Sequence, residues 1–128
     1  MVLRSGTEPQ VQAQGLGSAK KGVHPWAAER LSAIALVPLM IWLVASMILL
    51  RGASYAAFLA WLRQPVSSWL MVLSLIAIFH HTALGLQVIL EDYLHSALKV
   101  PAITTARLAC FALCVAGILA TIRIALMH

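Results

Sequence analysis

Charge is what this sequence has least of. Lys and Arg number nine and Asp and Glu four, so 10% of the 128 residues are charged while 62% are hydrophobic. Mean hydropathy is +0.92. A soluble domain carries roughly a quarter charged residues, and this chain could not cover its own surface in water. Cysteine is also scarce. Cys110 and Cys114 lie one turn apart on one helix face, which reads as small packing residues, since a metal site needs more ligands than that face offers. The net charge of +5 comes with no basic patch interleaved with base-stacking aromatics, so it gives no support to nucleic-acid binding. No internal repeat or low-complexity segment is present. The N-terminal stretch lacks the early apolar run of a secretory signal and the Arg-rich amphipathic character of a transit peptide.

What the sequence does have is three long apolar blocks. Leu31 to Leu50 runs 20 residues without a charge, and Val66 to Leu90 runs 25 with only serines, threonine, Gln87 and two histidines as interruptions. Thr105 to Met127 runs 23, with Arg107 and Arg123 near its ends. At about 1.5 Å per residue each crosses a hydrocarbon layer of roughly 30 Å. The two arginines are expected to snorkel to opposite headgroup layers. The fold class is therefore an all-α membrane protein. Residues 1–22 read as a flexible polar tail and 23–128 as a three-helix transmembrane unit, with helices at about 28–51, 66–93 and 104–127. Pro38 is expected to kink the first helix; Pro65 and Pro101 mark the starts of the second and third. The short connections leave no room for a soluble catalytic domain, so the chain is not expected to be catalytic alone.

Three spans place the N-terminus and the second loop on one side. That side holds Arg4, Lys20, Lys21, Arg30, Lys99 and Arg107, six of the nine basic residues, and the positive-inside tendency makes it cytoplasmic.

Ionisable residues inside a span are expensive to bury and are functional candidates by default. The second span supplies His80 and His81, then Gly85, Glu91, Asp92 and Tyr93. On a helix, positions 81 and 92 differ by about 20° in azimuth and about 16 Å along the axis. His81, Gly85 and Asp92 thus share a face. The glycine leaves room beside the imidazole for a flat bulky group or a closely packed helix. A neutral imidazole in a dry bundle is a good axial ligand for haem iron. The rival reading, a histidine hydrogen-bonded to a neighbouring helix, stays open at this point. His80 points about 100° away from His81, so both cannot bind one iron. The first span contains no histidine and the third only His128, at its end. A six-coordinate haem on His81 therefore takes its second ligand from another chain.

Before the first span comes Gly22-Val23-His24-Pro25-Trp26-Ala27-Ala28-Glu29-Arg30. Arg30 stands where the lipid begins, and Trp26 is an interfacial anchor. Arg30 with His24 could pair with haem propionates; an ordinary positive-inside arginine is the alternative. Tyr93 at the helix exit can donate a hydrogen bond to a quinone carbonyl, with Asp92 beside it to orient it or relay protons; plain helix-end polarity is the alternative.

Taken together, these clusters resemble one family, the hydrophobic membrane anchor subunit of bacterial succinate dehydrogenase, respiratory complex II. The family pattern His-x3-Gly-x6-Asp-Tyr is met by His81, Gly85, Asp92 and Tyr93. The pattern Gly-Val-His-x5-Arg-x-[Ser/Thr]-Ala is met by Gly22, Val23, His24, Arg30, Ser32 and Ala33. The resemblance covers roughly residues 20–127. It implies that His81 is the axial ligand of a b-type haem shared with a cytochrome b556 anchor subunit in a heterodimeric helix bundle. Arg30 and His24 would lie near the propionates, and Gly85 would pack close beside the haem. Tyr93 would hydrogen-bond ubiquinone with Asp92 at its side. Iron–sulfur and flavoprotein subunits would dock on the cytoplasmic face of the bacterial inner membrane, with the C-terminus periplasmic. The resemblance assigns no role to His80 or Glu91. A homodimeric small cytochrome b, carrying electrons without dehydrogenase partners, is the alternative function.

Overall fold

The structure is a computed structural model that describes the backbone of residues 8–127 and the side chains of residues 26–95 and 97–127. Its helices are α1 (Glu8–Leu49), α2 (Tyr55–Arg63), α3 (Pro65–Tyr93) and α4 (Lys99–Leu126), with a 3-10 turn at Ser96–Leu98 before α4. Three stretches are long and apolar enough to cross a membrane: Trp26–Leu49 within α1, and the whole of α3 and α4. The described residues contain no strand. The fold is all-α, as the apolar blocks require.

Local chemistry sets the boundaries. α1 is helical without a break through Pro38. After it the chain turns at Gly52, whose φ of 78° is a conformation that favours glycine. Ser54 then caps α2 by accepting from the Ala57 N–H at 3.2 Å, a contact of about 1 kcal/mol. α3 follows after Gln64 alone and opens on Pro65, whose missing N–H has no partner to lose at that position. Pro101 lies inside the first turn of α4, not ahead of it, and is tolerated there for the same reason.

α2 is the element the apolar blocks do not reveal. At nine residues it is too short to span. It lies in the loop after α1, with Leu62 buried and Trp61 stacked on Trp42 of α1, ring centroids 5.8 Å apart. Such a pair contributes about 1 kcal/mol beyond its buried area. α2 also touches α3 and α4.

α3 is the middle helix. It packs on α1 along one side and most extensively on α4 along another, while α1 and α4 do not meet among the described residues. Apart from Leu62, the most enclosed residues among those described are small. Leu62 and Cys110 are the buried apolar ones; Ser46, Ser67, Ser74 and Thr121 are the buried polar ones. Ser74 and Thr121 return their hydroxyls to the carbonyls of Leu70 and Gly117 in their own helices, at 2.7 and 2.9 Å. No buried side-chain polar atom among the described residues lacks a partner. Large apolar side chains such as Leu31, Ile41, Trp69 and Phe111 point outward. In lipid no hydrophobic force draws helices together, so close approach through small residues is the available means.

Gly117 marks a close approach of α4 to α3. A Cβ there would stand 3.1 Å from Leu75 Cδ1 and 3.2 Å from Cδ2. Gly117→Val overpacks this crossing, and a loss of about 1–3 kcal/mol is expected. It should read out as a lower thermal midpoint of the purified protein in detergent. Gly85→Ala, where a Cβ would meet nothing within 4 Å, should leave that midpoint unchanged or slightly raised.

Candidate functional site

α1 and α3 build the site between them. Trp26, Arg30, Ala33 and Ile34 recur at helical spacing and so form one stripe of α1. With Glu29 and with His81 of α3 they line an open cavity of about 500 Å³. The Arg30 guanidinium carbon lies 4.7 Å from the centroid of the Trp26 ring. This cation–π contact holds the cation at the cavity wall and leaves its N–H edge free to meet an anion. His81 is half-buried. Its Nδ1 lies 2.9 Å from the Ser32 hydroxyl oxygen, and Ser32 also donates to the Glu29 carbonyl at 2.7 Å. The two sequence clusters, some 50 residues apart, thus meet in one place. The side chain of His24 lies outside the described residues.

His80 faces another way. It lines a second cavity, about 470 Å³, between α3 and α4, with Phe79, Arg107, Cys110, Phe111 and Cys114 among its walls. The turn of about 100° between successive helix positions separates the adjacent histidines onto the two sides of α3. No group of three or more side chains that could hold a metal ion occurs among the described residues.

Gly85 leaves open space on the face it shares with His81, since no atom of the described residues would touch a Cβ there. The tight glycine is Gly117, on another helix. Volume beside the imidazole is therefore available to a group from outside the chain.

Asp92 and Tyr93 are exposed at the end of α3, Tyr93 at 81%. The cavity that His81 lines does not reach them. Glu91, their neighbour, is engaged elsewhere. It accepts a 2.7 Å hydrogen bond from Gln87 Nε2, and Gln87 in turn accepts from Arg107 of α4. Arg107 reaches across from α4 to α3. The chain Arg107–Gln87–Glu91 ties the two helices together and distinguishes the adjacent acids: Glu91 is braced, and Asp92 makes no hydrogen bond among the described residues.

Sequence reasoning carried Ser32 only as a letter in a pattern and gave Gln87 no role. The spacing from Ser32 to His81 is not periodic, and only the packing of α1 on α3 brings them together.

Residues 5–121 match the succinate dehydrogenase/fumarate reductase transmembrane subunit family. A succinate dehydrogenase hydrophobic membrane anchor subunit of Rickettsia bellii is 32% identical over 84 residues, which is 66% of this chain and 67% of the relative. The protein of the same description from Rickettsia conorii is 28% identical over 85 residues, 66% of this chain and 68% of the relative. No solved structure matches the chain.

Proposed function

The chain belongs to the succinate dehydrogenase/fumarate reductase transmembrane subunit family, and from that membership we propose that it anchors a succinate:ubiquinone oxidoreductase and completes two of its sites. It shares a b-type haem with a cytochrome b subunit and contributes to the quinone site. The iron–sulfur and flavoprotein subunits are tethered on the cytoplasmic side of the inner membrane, where the N-terminus also lies.

The observation that carries this reading is the convergence of His81 and Arg30 on one open cavity. The donor set fits a haem. His81 offers an imidazole with Nδ1 already engaged, Arg30 offers a cation for a carboxylate, and Gly85 leaves a flat group room. His24 is proposed to assist Arg30 at the propionates. A bound haem supplies reversible one-electron transfer. Among the described residues His81 is the one histidine that lines this cavity, and a second ligand to the iron would come from the partner subunit.

The quinone side rests on Tyr93 and Asp92. Tyr93 donates its O–H to a quinone carbonyl and orients it. Asp92, exposed and without a hydrogen bond among the described residues, would pass protons from the aqueous side as the quinone is reduced. Glu91 is held toward α4 by Gln87 and serves the helix brace.

Isolation of the native complex from its membrane tests the whole reading. The expected result is a b-type band in the reduced-minus-oxidised spectrum together with co-purifying flavoprotein, iron–sulfur and cytochrome b subunits. A haem band with this chain alone would support the homodimeric cytochrome instead. Absence of any haem band would overturn both.

A further inference from the structure

The contacts of the Ser32 hydroxyl bear on which nitrogen of His81 carries a proton. A hydroxyl has one hydrogen to donate. The Glu29 carbonyl, 2.7 Å away, has none, so the contact between them uses the serine proton. The same Ser32 oxygen lies 2.9 Å from His81 Nδ1. With its own proton committed, Ser32 can only accept there, and Nδ1 must donate. A neutral imidazole holds one ring proton, so Nε2 is left with the lone pair.

We propose that Ser32 is the positioning residue of this site: it holds His81 in the Nδ1–H tautomer and makes Nε2 the nitrogen that binds iron. The proposal rests on the haem reading above and adds to it the group that prepares the ligand. The bond to Glu29 fixes the serine rotamer, so that the free lone pair faces α3 and not lipid. Ser32 stands two residues after Arg30. One turn of α1 therefore supports both the imidazole and the cation at the cavity wall.

There is an electronic consequence. An acceptor on the far nitrogen raises the basicity of a metal-bound imidazole, and a more basic ligand favours the ferric state. The acceptor here is a neutral hydroxyl whose own proton leans on a carbonyl, which adds to its accepting power. Removing it withdraws that stabilisation, so the haem potential rises.

The test uses the native complex carrying Ser32→Ala, Ser32→Cys or Ser32→Thr in this chain. Ser32→Cys is close in size but a poor acceptor, and Ser32→Thr keeps the hydroxyl. Redox titration of the haem band should show an upward shift in both Ala and Cys variants. The shift is on the order of tenfold in the ferric-to-ferrous balance, or about 59 mV for a one-electron couple. Ser32→Thr should stay near the parent. If the alanine complex does not assemble, the cysteine and threonine complexes decide. Unchanged potential and haem content in both Ala and Cys variants would overturn the role of Ser32, while haem loss in His81→Ala would show the haem reading itself intact. Retention of haem in His81→Ala would overturn that reading first. A measurement free of haem is nitrogen-15 NMR of the histidine-labelled full chain in detergent. It should show His81 protonated at Nδ1, and a ring protonated mainly at Nε2 would overturn the proposal.

Discussion

In the assembled complex, His81→Ala should lose the b-type haem band on the order of a hundredfold, while His80→Ala keeps most of it. Among the described residues, the first substitution removes the one imidazole that lines the α1–α3 cavity. Loss of a metal's supporting partner alone costs about 10–100-fold in affinity, so loss of the ligand itself belongs at or beyond the upper end. His80 opens instead onto the cavity shared with Arg107, Cys110 and Cys114. It is exposed, and its removal leaves the Ser32 contact to His81 untouched. The measurement is pyridine haemochrome content per flavin in the purified complex. Equal losses in the two variants would mean that the cofactor does not sit on the α1 side of α3.

Tyr93→Phe is the second large effect, and it should separate quinone chemistry from everything else. The tyrosine is 81% exposed in the chain, and its hydroxyl makes no hydrogen bond among the described residues. Deleting that oxygen therefore costs the isolated chain nothing measurable. Against a bound quinone it removes one donor, worth about 1–2 kcal/mol, which corresponds to about tenfold in rate or affinity. Succinate-dependent ubiquinone reduction should fall by that factor. Haem content and succinate oxidation with a soluble dye acceptor should stay at the parent level. Undiminished quinone reduction would remove Tyr93 from the site.

Much of this architecture was legible in the residues, for reasons that differ from element to element. The three spans follow from the length of uncharged runs, because a bilayer imposes its thickness on any helix that crosses it. The separation of His80 from His81 follows from helical geometry alone. α2 was not legible: it is as apolar as its surroundings, and its existence depends on the Ser54 cap and on Trp42 being within stacking reach of Trp61. The Ser32–His81 and Arg107–Gln87 contacts link positions 49 and 20 residues apart. Their partners are chosen by how helices cross, which no single-helix pattern encodes. Gly85 and Gly117 look alike in sequence, yet one faces open space and the other a leucine. The difference lies entirely in what stands opposite.

The enclosed serines and threonine bear on how variants of this chain are to be judged. Ser46, Ser67, Ser74 and Thr121 are buried, and Ser74 and Thr121 already satisfy their hydroxyls within their own helices. Their role between helices is to be small. A change from Ser74 to leucine moves toward the chain's average character and would pass any hydropathy filter, yet it forces a branched side chain into a site that is 1% exposed. A change to alanine discards a hydroxyl that bonds within its own helix, to the Leu70 carbonyl. At these buried positions the scale that ranks harmful substitutions is side-chain volume, and a screen built on polarity would rank the two in the wrong order.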